Sequence, residues 1–199
     1  KALIIREKVF GTYHPEVAMS YNNIGMTLVS LGSLERAEQC ITKGMEIRKA
    51  ICDENHPSLA SSYSNKGLIL GKLKNHQEAV EYKKKALEIR EKVFGREHPD
   101  VAMSHNNLAI SLGELGLLTD ALNHQLEAFK ISCAASKNKH PHQEMYLQNL
   151  IGFLGEFEKN ATKSVRQQAI SICTDTFGEG DSFTTRLKKA PSKESCTIL

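Results

Sequence analysis

The dipeptide His-Pro recurs at His14-Pro15, His56-Pro57, His98-Pro99 and His140-Pro141, each occurrence 42 residues after the last, with no gap. A fixed period in the range of roughly 20 to 50 residues marks stacked supersecondary units, because one such unit cannot bury its apolar face alone. In a stack each repeat touches its neighbours and the core grows along one axis. The dipeptide also says where helices begin. Proline is favoured at the first helical position, where its missing N–H costs nothing, and it pushes the residue before it out of the helical region. Each His-Pro therefore opens a helix, and each His closes the loop before it. Glu16, Ser58 and Asp100 follow the prolines and suit a helix N-terminus.

Within a period the pattern predicts two helices. The first runs from His-Pro to a glycine or lysine near Gly32, Lys74 and Gly116, with Val101, Leu108, Leu112 and Leu115 at helical spacing in the third repeat. Leu28, Leu70, Leu112 and Leu154 share one register position and are read as core. Gly25, Gly67 and Ala109 fall where a neighbouring helix must come close. The second helix starts near Leu34, His76 and Leu118. It carries Ala37, Ala79 and Ala121, then Gly44, Ala86 and Ala128 seven residues on. Small residues at that spacing stack on one face and let helices pack tightly. The expected fold is all-α, a solenoid of antiparallel helix pairs.

The boundaries follow from the register. Residues 1–10 are the second helix of a repeat whose first half lies upstream. Residues 11–52, 53–94 and 95–136 are three full repeats. Residues 137–187 form a degenerate fourth repeat with a closing helix, and 188–199 a flexible tail. The fourth repeat keeps His140-Pro141, Asn149 and Leu154 but has Gln143 and Glu144 where the others have an apolar residue and Ala.

Composition excludes several classes of function. A net charge of +3 is too small to argue for nucleic acid or a membrane surface, and the absence of Trp removes the best base-stacking residue. Five scattered cysteines without a CxxC argue against a disulfide framework and for a reducing, cytoplasmic setting. No apolar run approaches a membrane span. The His-Pro histidines are one repeat apart and cannot converge on one ion, and His140 and His142 lack Cys or carboxylate partners at ligand spacing, so no metal or other cofactor is expected. No nucleophile–base set or phosphate loop is visible, so no catalysis is expected.

Asn23, Asn65, Asn107 and Asn149 occupy one position of the first helix in all four repeats. Asn is a poor residue for a helix interior, because its amide competes for backbone groups. Two explanations stand. Each Asn ties a helix to its neighbour or is left from repeat duplication, or the column serves a ligand. An amide donates and accepts, so it can clamp a peptide backbone without reading its sequence. Adjacent first helices lie roughly 10 Å apart, the span of about three residues of an extended chain. Asn22, Ser64 and Asn106 sit one residue earlier. Met19, Met103 and Met145 sit one turn before the column. Lys72 and Glu114 share a column further along. That mixed pair leaves the charge of a ligand open.

The segments ALEIREKVFG (Ala86–Gly95), HPDVA (His98–Ala102) and NNLA (Asn106–Ala109), in this order, resemble the repeats of kinesin light chains and related repeats fused to signalling NTPases. The small residues seven apart, with a glycine between the helices, resemble the tetratricopeptide repeat, whose usual period is about 34 residues. Here the extra residues lie in the second helix and the following loop. The resemblance covers about residues 1–178. It implies a right-handed superhelix whose first helices line a concave side, and it makes the Asn column look like the family's groove asparagine. The implied function is an adaptor-like scaffold that binds a protein or peptide on that side through Asn23, Asn65, Asn107 and Asn149, joined by Asn22, Asn106 and Lys72. The alternative is a regulatory or sensor arm of a signalling NTPase whose catalytic domain lies upstream.

The final Cys196-Thr-Ile-Leu199 fits the C-a-a-X prenylation pattern, with Leu pointing to geranylgeranyl at Cys196 and Lys188, Lys189 and Lys193 as a basic second signal. The same end fits a ligand that adds a strand to a PDZ domain. A chance match is the third reading.

Overall fold

The computed structural model describes residues 1–136, 140–156 and 162–190. Among these, every regular element is a helix: α1 (Ala2–Phe10), α2 (Pro15–Ser30), α3 (Leu34–Ile51), α4 (Pro57–Lys72), α5 (His76–Phe94), α6 (Pro99–Glu114), α7 (Leu118–Ala135), α8 (Pro141–Gly155), α9 (Lys163–Phe177) and α10 (Ser182–Lys188). None is long and apolar enough to cross a membrane. The helices fall into two compact units, Lys1–Val93 and Phe94–Leu199. Cys196, Lys193 and the C-terminal tripeptide lie outside the described residues.

The prolines sit where the spacing puts them, at the first position of α2, α4, α6 and α8. The histidine before each does more than close a loop. Its Nδ1 accepts the N–H two residues on: Glu16 at 3.2 Å, Ser58 at 3.1 Å, Asp100 at 3.1 Å and His142 at 3.3 Å. Imidazole thus takes the capping role usual for Ser or Asp. At two of the four caps a phenylalanine at the end of the preceding segment holds the ring: Phe10 stacks on His14 and Phe94 on His98, with centroids 4.4 and 4.6 Å apart.

The first helices α2, α4 and α6 stop in a common way. Gly32, Lys74 and Gly116 adopt positive φ (76°, 66° and 82°), and the next N–H reaches back to Leu28, Leu70 and Leu112, each at 2.9 Å. This left-handed turn satisfies the last carbonyls and reverses the chain in three residues. Lys74 is the costly member, because its Cβ crowds the following carbonyl in that region.

The second helix then packs back on the first. A Cβ at Gly25 would lie 3.2 Å from the Ala37 carbonyl, at Gly67 3.0 Å from that of Ala79, and at Gly44 2.9 Å from that of Ala18. Those approaches explain why the columns hold small residues. In unit 1, Leu28, Ala37, Ile41 and Ile69 form one apolar cluster and Met45, Leu59, Ala60, Ala86 and Ile89 another. In unit 2, α7 packs on α6, α8 and α9, and α10 closes on α9. Its interior is built from Leu108, Leu112, Phe129, Leu147, Leu150 and Leu154, all at most 1% exposed.

Polar ties join one repeat to the next. In unit 1, Arg6 donates to Ser20 Oγ at 2.6 Å, and Arg48 donates to Ser62 Oγ at 2.5 Å and to the Ser58 carbonyl at 2.9 Å. At the α7–α8 junction of unit 2 the position of these arginines is Ser132, and that of the serines is Tyr146. Gln143 takes over. It is buried, donates to the carbonyls of Ser132 and Ser136 at 2.8 Å each, and accepts the His140 N–H at 2.8 Å. The residue that made the fourth repeat look degenerate is the one that replaces the arginine tie. After α10, Arg166 donates to the carbonyls of Leu187 (3.2 Å) and Ala190 (2.8 Å).

Candidate functional site

The open faces of the first helices carry the Asn column: α2 and α4 in unit 1, α6 and α8 in unit 2. In unit 1, Asn65 Nδ2 donates to Asn22 Oδ1 at 2.9 Å. In unit 2, Asn149 Nδ2 donates to Asn106 Oδ1 at 2.8 Å. Asn65 and Asn149 therefore link neighbouring helices, and their partners are the asparagines one residue before the column. Asn23 is exposed and Asn107 half-buried. Lys72 is exposed at the end of α4, and Met19 and Met145 are exposed one turn before the column.

The linkage does not exhaust the amides. A primary amide has two N–H donors and an oxygen with two acceptor sites. The tie uses one N–H of Asn65 and the oxygen of Asn22, so the oxygen of Asn65 and the amino group of Asn22 retain bonding capacity, and both residues are half-buried. In unit 2 Asn106 is buried, so the amide that reaches the open face is the half-buried Asn149, with its oxygen in reserve. Each pair fixes the orientation of its amides, which lowers the ordering cost of any further hydrogen bond they make.

In unit 2 the open face deepens into a cleft of about 460 Å³ between α6 and α8. Asn149 and Gln148 line it, with Ile110 and Phe153 as apolar surface and Glu114 and Glu156 as its charged residues. Gly113 makes the floor. A Cβ there would meet Phe153 Cε1 at 2.6 Å, so the absence of a side chain is what seats the phenylalanine ring. Sequence reasoning reached Asn149 and Glu114 but missed Phe153, Gly113 and Glu156. The signal for Glu156 was present, since it stands one period after Glu114 in the column of Lys72.

Other polar groups lie behind these faces. His105 and His124 share a hydrogen bond between their Nδ1 atoms at 2.8 Å, so one ring donates and the other accepts. Burial pushes the His105 pKa down, opposed by the Glu127 carboxylate. The matching pair in unit 1 is Tyr63 and Tyr82, whose ring centroids are 5.9 Å apart. Burial raises the Cys133 thiol to about 12 and the Tyr146 phenol to about 12, which keeps both groups protonated at neutral pH. Gln125 is fully buried, donates to the Tyr146 carbonyl at 3.0 Å and leaves its own Oε1 without a partner. Among the described residues no three His, Cys, Asp or Glu side chains are placed to hold a metal ion.

Comparison with known proteins addresses the repeat type. Residues 1–50 and 53–134 match the sequence profile of the tetratricopeptide repeat. Among solved structures, a kinesin light chain candidate from Podosopora anserina with nearly identical TPR-like repeats superposes with a TM-score of 0.68 at 19% identity. The match covers 87% of this chain and 83% of that one. A point variant of that protein gives the same TM-score and identity. BtubC (BKLC) from P. vanneervenii gives a TM-score of 0.66 at 17% identity, over 89% of this chain and 65% of that one. No curated protein matches the sequence. At such identities the structural likeness shows the fold, and the sequence profile shows the kinship: this chain belongs to the tetratricopeptide repeat family.

Proposed function

We propose that the chain is a non-catalytic interaction scaffold that binds an extended peptide along the open faces of its first helices. The observation that carries this reading is the repeated amide pair. Asn22 with Asn65 and Asn106 with Asn149 stand at the same register in both units, oriented by a mutual bond and with hydrogen-bonding capacity to spare. The polar ties of Arg48 and Gln143 lie buried behind these faces, whereas Asn22, Asn65 and Asn149 are only half-buried. Amides so placed support contact with the one partner that presents N–H and C=O at regular intervals, a peptide backbone. Asn23, Asn107 and Lys72 extend the same surface within their units.

The test is affinity capture from cytosol with the wild-type chain and with Asn65→Ala/Asn107→Ala, read by mass spectrometry after both baits are matched for thermal stability. Partners held by the wild type and lost by the double variant support the clamp. Identical partners on both baits move the binding surface elsewhere and leave the amides a structural role only.

A further inference from the structure

One cavity of unit 2 lies away from the amide pair and takes no part in the groove reading. It occupies about 210 Å³ where the last turn of α7 meets the first turns of α6 and α8. Its floor is Ala102, Gln143 and Tyr146, each at most 2% exposed, and its mouth is Pro99, Ala135, His140 and His142, all exposed. From α7 it receives only small side chains. Ser132, Ala135 and Ser136 hold the positions that carry Arg48, Ile51 and Cys52 two periods earlier, and Ser136 stands in the column of Phe10 and Phe94. The corresponding cavity of unit 1 is lined by Glu16 and Arg48, whereas no Asp, Glu, Lys or Arg lines this one.

Its wall is aromatic. The ring centroids of His140 and His142 are 5.0 Å apart, and those of His142 and Tyr146 6.2 Å. At His14 and His98 the chain itself lays a phenylalanine ring on the capping imidazole, and at His140 the residue in that column is a serine. The Tyr146 hydroxyl opens onto the cavity and has no hydrogen-bond partner among the described residues. Burial, and less so the Asp100 carboxylate, push its pKa up to about 12, so at neutral pH it is a donor. A buried donor without a partner favours a guest that brings an acceptor. The positive ends of α6 and α8 disfavour a cation, and aromatic walls favour a ring packed at an offset or by its edge. A dry cavity of about 150 Å³ holds benzene, so this one has room for a single ring with a small substituent. We infer that the α6–α7–α8 cavity binds one neutral aromatic ring that carries an oxygen acceptor, a phenol being the simplest case. The ring packs on the wall of His140, His142 and Tyr146, and its oxygen accepts from the Tyr146 hydroxyl.

The experiment is ligand-observed fluorine NMR with the full chain and two probes, para-fluorophenol and fluorobenzene. The wild type is expected to bind both, the phenol more tightly. Tyr146→Phe keeps the shape of the wall and should weaken para-fluorophenol about fivefold, the loss of one neutral hydrogen bond, while leaving fluorobenzene unchanged. A general folding defect would not separate the two probes in this way. Ser132→Arg and Ser136→Phe refill the space with side chains that the same columns carry in other repeats, and each should weaken both probes at least about tenfold at an undiminished melting temperature. Competition then identifies the source of the ring. Displacement of para-fluorophenol by N-acetyltyrosinamide assigns the ring to a partner chain, and displacement by para-cresol alone assigns it to a free small molecule. Three results overturn the inference: no binding of para-fluorophenol to the wild type, binding that survives both Ser132→Arg and Ser136→Phe, or an unaltered affinity for the phenol in Tyr146→Phe.

Discussion

The two units use the same amide pair and surround it with opposite chemistry. In unit 1 the column at the far end of the first helices holds Ser30 and Lys72; in unit 2 the same column holds Glu114 and Glu156. Behind the faces, unit 1 joins its repeats with Arg48 on serine, and unit 2 with Gln143 on two backbone carbonyls. Unit 1 sets two tilted tyrosine rings side by side where unit 2 pairs histidines. The lesson is that period and cap define the scaffold, and the positions they leave unspecified are where the repeats diverge. A stacked fold tolerates this because each junction is an almost independent interface.

The largest expected effect tests what the units share. Leu112→Ala removes a side chain 1% exposed in the Leu column and should cost about 2–5 kcal/mol in urea denaturation. Leu70→Ala in unit 1 belongs in the same range, and a difference outside it would mean that the two cores are not equivalent. Next come the ties. Arg48→Ala should cost roughly 2–3 kcal/mol, since it removes charge-assisted bonds and leaves buried acceptors unsatisfied. Gln143→Ala should cost about 1–2 kcal/mol, because its bonds are between neutral groups. Equal losses would show that charge contributes nothing at the first junction.

The histidine pair predicts a pH dependence for unit 2 that unit 1 lacks. Burial lowers the His105 pKa in the folded state, so below about pH 6.5 the unfolded chain binds more protons than the folded one. Stability from this site is present above that pH and falls on acidification. His105→Tyr/His124→Tyr, which copies the unit 1 pair, should flatten the slope of melting temperature between about pH 7 and 5. An unchanged slope would assign the pH dependence to other groups. The smallest effect concerns the turns. Lys74 is the one non-glycine residue with positive φ among the described residues. Lys74→Gly should stabilise unit 1 by about 0.5–1 kcal/mol, the relief of a side chain in the left-handed region less the entropy that glycine adds to the unfolded chain.

Much of the fold was legible in the sequence because its signals are local or strictly periodic. Proline at the first helical position, glycine at the reversal and leucine every period need no knowledge of the third dimension. The candidate site was legible only in part. The column picked out Asn65 and Asn149, but their partners Asn22 and Asn106 sit 43 residues away, one off the period, so an alignment of repeats places donor and acceptor in different columns. The capping role of the histidines depends on a ring nitrogen that composition cannot orient. Gln143 looked like decay because its three bonds go to backbone groups, which a sequence does not display. Phe153 was hidden for a related reason, since only the position of Gly113 on a neighbouring helix makes room for its ring.

The amide pair also bears on how such a chain lengthens. Asn occupies its acceptor position at residues 22 and 106, with Ser64 between them. The phenylalanine that stacks on the capping histidine alternates in step, present at Phe10 and Phe94 and replaced by Cys52 and Ser136. At these two positions alternate junctions match and adjacent ones differ, so duplicating or excising one helix pair would put them out of phase, whereas adding or removing two would preserve the pattern.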